Sequence, residues 1–389
     1  MRSGTKYTIT SNQVYSECQQ RLLNSKLIKD HGWLCRAALV IGVVLRAAAR
    51  SISLSAACRD LSEAPSDQAA MNAVGDGLPR TLAVLERRLN ETLTSPLPRC
   101  LQRRSWQVAI DLHLDPYYGQ PQKSRNEIYY GAEKAGTKRF HAYATACIVQ
   151  YGYRYTLALT WVRRHETLVQ VLRRLLARIR EIGLKIKRLL LDRAFFTVAV
   201  MAFLQKEKLP FLMPVMLRGR KPKRGRPVTG LRRFKQRPAG WYSYTMKSEG
   251  QEVAFSICVG YRRYKNRKTG KRGRQKLLFA AWRIHGSPTE IRERYRKRFG
   301  IESSYRQIRQ ARIYTCTRDP HRRLFFVLVA LLLRNVWVWL HQVRLSESRS
   351  NGLCLRLDLL RFKRMLDWII YEVIHLYHDG TAPYVVRPP

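Results

Sequence analysis

The sequence predicts an α/β fold built on a mixed sheet, with a helical domain in front of it and a β-rich segment inserted into it. Three observations carry that prediction. Residues 1 to about 100 hold only helix-forming patterns, strands begin abruptly at Trp106, and strands then alternate with helices until a run rich in Arg, Lys and Gly interrupts them.

The first hundred residues contain a patchily apolar stretch at 22–49 and an amphipathic one at 81–93. They close at the breaker Ser95-Pro96-Leu97-Pro98, which sets a domain boundary near residue 100. Inside this region 53–61, the link Ser62-Glu63-Ala64-Pro65 and 66–74 read as helix, short turn, helix. Ser66 is placed to cap the second helix, because its hydroxyl can accept from an amide that has no partner within the first turn. Such a pair is either a helix-turn-helix, whose second helix would enter a DNA major groove, or an ordinary helical hairpin, and the few base-reading side chains leave both readings open.

From Trp106, strands at 106–114, 140–150 and 153–162 follow, the last two joined by Tyr151-Gly152. A helix at 165–182 comes next, with Leu168, Val171, Leu172, Leu175, Leu176 and Ile179 on one face and Gly183 as its stop. The run 186–191 then reads as a buried strand, 196–206 as a helix and 210–216 as a strand. Three antiparallel strands, helix, strand, helix, strand is the order of a ribonuclease H-like sheet.

An insertion at about 218–283 opens with Arg218-Gly219-Arg220-Lys221-Pro222-Lys223-Arg224-Gly225-Arg226-Pro227 and holds strand-like runs at 241–246, 253–259 and 277–282. Basic clustering on this scale favours phosphate contact over merely solvated loops. Helix resumes at Ser287-Pro288-Thr289-Glu290 and continues to about 312, with the very apolar 324–340 packed behind it. The chain thus divides into a helical DNA-binding domain at 1–100, the sheet domain at 101–342 and a helical C-terminal segment at 343–389.

Composition narrows the partner. Lys and Arg total 73 against 27 Asp and Glu, a formal charge of +46. The excess is spread along the whole chain, and such self-repulsion makes sense beside a polyanion, with nucleic acid ahead of an anionic membrane surface. The eight cysteines are scattered and never form CxxC, so neither a zinc site nor a disulfide framework is signalled, and a reducing, cytoplasmic setting follows. The apolar stretches 37–44 and 324–333 are each ended by arginine and fall short of the roughly 20 residues of a membrane span. The polar first thirty residues show no secretory pattern.

Acids are scarce in this basic chain, and three stand at strand ends or on the late helix. Asp111 follows Val108-Ala109-Ile110, Asp192 follows Leu189-Leu190-Leu191, and Glu302 lies within 289–312. In a ribonuclease H-like sheet the first and fourth strands are neighbours, so the two aspartates would lie side by side and the helix would bring Glu302 to them. Three converging carboxylates repel unless cations neutralise them, and hard oxygen ligands suit Mg²⁺, with Mn²⁺ as a substitute. Two such ions, roughly 3.5–4 Å apart, can activate a water or a 3′ hydroxyl and stabilise the leaving oxygen of a phosphodiester. Taken singly, each acid reads as well as a turn residue or a solvated ion pair; their joint placement is the signal. Asp115 is the rival first acid, but it precedes Pro116 and reads as a turn residue.

Tyr295, Arg298, Glu302 and Arg309 are spaced 3, 4 and 7 and would share one helical face, with Lys297 and Arg306 as further cations on the same helix. The pattern resembles the Y-x2-R-x3-E-x6-K signature of the DDE transposases of prokaryotic insertion sequences, with Arg309 in place of the final Lys. That exchange keeps the charge and replaces a point contact by a planar fork. The resemblance extends from about 106 to 342 and includes Ile110-Asp111-Leu112-His113 with Pro116-Tyr117-Tyr118-Gly119, Leu191-Asp192-Arg193 with Phe195-Phe196, and the β-insertion between the second and third acids.

The resemblance implies that Asp111, Asp192 and Glu302 are the catalytic, metal-binding triad and that Tyr295, Lys297, Arg298, Arg306 and Arg309 meet DNA. It also implies double-stranded DNA as substrate, at terminal inverted repeats and at a target, a homodimer holding two ends, and no membrane. His113 reads first as a structural histidine. Tyr117, Tyr118 and Trp241 read as turn or core residues, with stacking on an unpaired base as the other option. A nuclease that cuts without joining and a catalytically inactive DNA-binding descendant are the competing functions.

Overall fold

The computed structural model describes residues 9–120, 127–221, 226–265, 269–270, 272–349, 352–355 and 358–377. Residues 222–225 of the basic run lie outside the described residues.

Helices α1 (Ser11–Asn24), α2 (Ala37–Arg50), α3 (Leu54–Arg59), α4 (Asp67–Gly77) and α5 (Leu82–Thr94) form the N-terminal region. Ser66 caps α4 as its position requires, its hydroxyl accepting from the Ala69 amide at 3.2 Å. Helix α2 is apolar on nearly every side and is buried almost throughout.

The sheet comprises β1 (Ser105–Pro116), β2 (Tyr129–Lys134), β3 (Thr137–Ile148), β4 (Thr156–Val162), then α6 (Leu168–Glu181), β5 (Lys185–Leu191), α7 (Val198–Lys206) and β6 (Phe211–Pro214). The strand path β4-β3-β1-β5-β6 has β1, β5 and β6 parallel and the rest antiparallel, the order of a ribonuclease H-like core. Strand β2 was not expected. It pairs with the outer end of β3 beside β4, and its exposed, polar side chains lack the alternation that marks a strand.

The inserted strands β7 (Gly240–Ser248), β8 (Gln251–Lys265) and β9 (Arg272–Trp282) continue the same sheet, because β9 pairs antiparallel with β6. The chain returns through α8 (Pro288–Arg296), α9 (Phe299–Ile308) and α10 (Pro320–Val343). It then forms a small hairpin, β10 (Ser346–Arg349) and β11 (Gly352–Leu355), and ends in α11 (Phe362–Tyr377).

Strand alternation decides which residues face which layer. Val108, Ile110, Leu189 and Leu191 face the core under α6 and α7, where Val171, Leu172, Leu175, Leu176 and Ile179 of α6 are buried as the helical pattern predicts. Ala109 and Leu190 face the opposite layer, covered by Ile291 of α8 and Ile301 of α9. A third core joins α1–α5 to α10, α11 and the sheet edge at Leu159 and Trp161.

That edge is closed by side chains. Asn90 of α5 accepts from the Leu159 amide at 2.8 Å and donates to the Leu159 carbonyl at 2.8 Å, and Glu86 accepts from the Trp161 amide at 2.8 Å. These groups satisfy the outer ladder positions that a neighbouring strand would otherwise fill. Helix α10 is the one described helix long and apolar enough to cross a membrane, and 83% of its most apolar window is buried inside the protein.

Candidate active site

The parallel register of β1 and β5 pairs Ile110 with Leu191, so Asp111 and Asp192, each one residue further on, come level at the same sheet position. Alternation puts both on the layer shared by Ala109 and Leu190, under α8 and α9. Asp192 leads into a single 3₁₀ turn, Arg193–Phe195, which Phe195 and Phe196 pin into the core below.

The expected continuous helix is broken. Helix α8 stops at Arg296, Lys297 and Arg298 form a turn, and α9 starts at Phe299, with Gly300 in its first turn lowering the helical propensity there. Both residues of the turn keep right-handed helical backbone angles, and Arg298 is buried there among the acids. Its Nη1 lies 3.3 Å from Asp111 Oδ2, and its Nη2 lies 3.7 Å from Asp192 Oδ1 and 2.7 Å from Glu302 Oε1. One guanidinium, with a side chain 9% exposed, thereby bridges all three acids. Tyr295 packs against Phe279 at 5.1 Å and donates its hydroxyl to the Leu191 carbonyl at 3.2 Å, tying α8 to the end of β5. Tyr305 bonds the Thr145 hydroxyl at 2.7 Å and donates to the Asp111 carbonyl at 3.2 Å, tying α9 to β1 and β3.

Burial pushes the Asp111 carboxyl up to about 6; Arg298 opposes the shift, while Asp192 and Glu302 add to it. The donor set consists of carboxylate oxygens alone, the chemistry of a hard divalent cation, and Arg298 Nη1 is buried there with no hydrogen-bond partner among the described residues. Among the described residues no group of three or more His, Cys, Asp and Glu side chains has the spacing of a formed metal site. The three acids are gathered instead around the arginine.

The remaining expected residues are scattered around this centre. Lys297 is exposed in the turn beside Arg298. Arg306 is exposed on another face of α9, and Arg309, past the end of α9, lines a small cavity with His113, Asp115 and Arg312. Asp115 pairs with Arg312 at 2.9 Å, apart from the three acids. His113 packs on Tyr305 at 5.2 Å, and burial pushes its imidazole down to about 4, so it stays neutral. Tyr117 is buried against His141, and the Trp241 indole donates to the Gly286 carbonyl at 2.8 Å; both are structural. Tyr118 is 69% exposed, with its hydroxyl donating to the Ala135 carbonyl.

Sequence reasoning missed a wide cleft running from Arg193 and Tyr295 to the inserted strands. It is lined by Lys235, Arg262, Arg263, Lys276, Arg292 and Arg296, with a volume of about 860 Å³ and no acid on its walls. With Arg193, its cations come from five separate segments, so no local run of sequence announces it.

The Transposase DDE domain family model matches residues 103–336. Comparison with curated proteins gives no match. Among solved structures, the chain is similar to the piggyBac transposase synaptic complex with hairpin DNA, seen by cryo-EM, with 14% identity and a TM-score of 0.52. That likeness covers 97% of this chain and 84% of the other, and at such identity it speaks to fold. With the family model spanning well over half of its length, the chain belongs to the DDE transposase family.

Proposed function

We propose that this protein cleaves DNA at transposon ends and joins the freed strands to target DNA, with Asp111, Asp192 and Glu302 holding two Mg²⁺ ions for which Mn²⁺ can substitute. The observation that carries this reading is the gathering of three carboxylates, from β1, the end of β5 and α9, around the single cation of Arg298. When bound, the two ions supply an activated oxygen nucleophile and charge stabilisation at the leaving oxygen.

The chain's own residues do the positioning. Tyr295 and Tyr305 fix the helices that carry Arg298 and Glu302 relative to the strands that carry the aspartates. The acid-free cleft beside Asp192 offers phosphates a track leading to the three carboxylates. Lys297 adds exposed charge in the turn beside Arg298, and Arg306 adds it on another face of α9. The Y-R-E spacing supports membership of the insertion-sequence branch with the YREK signature. In this reading the N-terminal helices bind the inverted repeats, two protomers hold the two ends, and the protein works in the cytoplasm on nucleoid DNA.

The test incubates a labelled fragment bearing the element's own end with the protein in Mg²⁺, Mn²⁺ or EDTA, beside Asp192→Asn and Glu302→Gln. Metal-dependent cutting and joining that both variants lose while still binding DNA is the expected result. Cutting that survives both substitutions overturns the assignment.

A further inference from the structure

Behind the catalytic helix lies a second cationic site that the triad chemistry does not use. A cleft of about 330 Å³ opens between the β3–β4 turn (Tyr151, Arg154), the outer face of α9 (Ser303, Arg306) and α10 (Arg334, Trp337). Arg334 is only 1% exposed, yet its Nε donates to the Gln307 side-chain oxygen at 3.2 Å and its Nη1 to the Arg154 carbonyl, both neutral acceptors. The groups that act on its charge are Cys147 and Arg154, with no carboxylate among them. Arg154 Nε is itself buried with no hydrogen-bond partner among the described residues. His341, which also lines the cleft, is close enough to Asp358 to feel its charge. Among the described residues, Arg154, Arg306 and Arg334 form no ion pair with an acid.

A buried cation without an anion has lost hydration that nothing replaces, and like-charged neighbours add to that cost. Three arginines converging on one cleft, two of them partly or wholly buried, therefore ask for an anion from outside the chain. Planar guanidinium forks fit the oxygens of a phosphate. We infer that the Arg154–Arg306–Arg334 cleft binds a phosphate group and, resting on the function proposed above, that in the working protein this is a backbone phosphodiester of DNA.

The site is mechanically linked to the triad. A Cβ on Gly300 would lie 3.2 Å from Arg154 Nε, so Arg154 packs directly under the first turn of α9, two residues before Glu302. A phosphate held by Arg154 and Arg306 thus braces the helix that presents Glu302.

The test measures binding of duplex DNA across salt concentration, in EDTA so that no chemistry is read, for the intact protein and for Arg154→Gln and Arg306→Gln. Arg334, being buried, is left in place. Each lost phosphate contact should lower the slope of log affinity against log salt by about 0.9. In parallel, phosphorus NMR follows broadening of inorganic phosphate by the DNA-free protein. A reduced slope in Arg154→Gln, restored by Arg154→Lys, supports the DNA phosphodiester. Phosphate broadening that both glutamine variants lose, with unchanged slopes, keeps a phosphate site but overturns DNA as its occupant. Unchanged slopes and unchanged broadening overturn the site altogether. A failed triad assignment would leave these readouts untouched, since neither involves cleavage.

Discussion

Arg298 and Arg334 are both buried beside α9, and their surroundings are opposite. Arg298 meets three carboxylates, while Arg334 meets a carbonyl, an amide oxygen and another arginine. In a chain of +46 charge, acids are too few to neutralise most cations, and the fold gathers three of its 27 around one arginine. The contrast teaches that local charge balance, and not total charge, distinguishes the two sites. Where acids cluster, a cation is needed to hold them; where arginines cluster, an anion is.

The largest effect should come from breaking the acidic side. Asp192→Asn or Glu302→Gln removes a ligand from charge stabilisation worth several kcal/mol, so cleavage should fall by about 10³-fold or more in single-turnover assays. Next, Arg298→Ala leaves three acids uncompensated. Breaking a fully buried pair costs about 3–5 kcal/mol, and because Asp192 is 42% and Glu302 32% exposed, a loss of about 2–3 kcal/mol is expected in urea unfolding, partly recovered by added Mn²⁺.

His141 gives a third version of the comparison, a buried titratable group with neither kind of partner. Among the described residues neither ring nitrogen has a hydrogen-bond partner, and burial, with Arg323 nearby, pushes its imidazole down from 6.5 to about 3. As pH falls below 6.5 the unfolded chain takes up a proton that the folded chain refuses. Stability from this group is therefore complete above pH 6.5 and is lost toward pH 3, by about 1.4 kcal/mol per pH unit or about 2 kcal/mol by pH 5. His141→Phe should flatten that limb of the stability profile, and an unchanged limb would contradict the assignment.

Much of this was legible in the sequence. The ribonuclease H-like order followed from strand and helix periodicity, and the placement of Asp111 and Asp192 followed because each ends an apolar run on paired parallel strands. Other features were set by tertiary contacts that no local pattern records. The polar strand β2 exists because β3 offers it an edge, and the insertion joins the central sheet through β6–β9 pairing. The spacing put Tyr295, Arg298 and Glu302 together, across a turn at Lys297 and Arg298 that the helical pattern did not announce. Arg298 meets the acids, whereas Arg309, past the end of α9, lines the cavity that also holds Asp115. The arginine cleft was invisible because its members are 152 and 28 residues apart along the chain.

Two smaller effects sharpen the contrast. Arg334→Gln forfeits hydrogen bonds to neutral acceptors but also removes an unbalanced buried charge, so its cost should be about 1–2 kcal/mol, below that of Arg298→Ala. Asp115→Asn breaks a partly exposed pair with Arg312 and should cost at most about 1 kcal/mol in thermal unfolding, with cleavage retained. Loss of cleavage there would instead favour Asp115 as the first acid.

The central claim is that three separated carboxylates form one divalent-cation site, and Mn²⁺ binding followed by electron paramagnetic resonance on the DNA-bound protein tests it most directly. The account predicts saturable binding of about two ions per site that weakens sharply in Asp111→Asn, Asp192→Asn and Glu302→Gln alike. Binding that is unchanged in all three variants would contradict it.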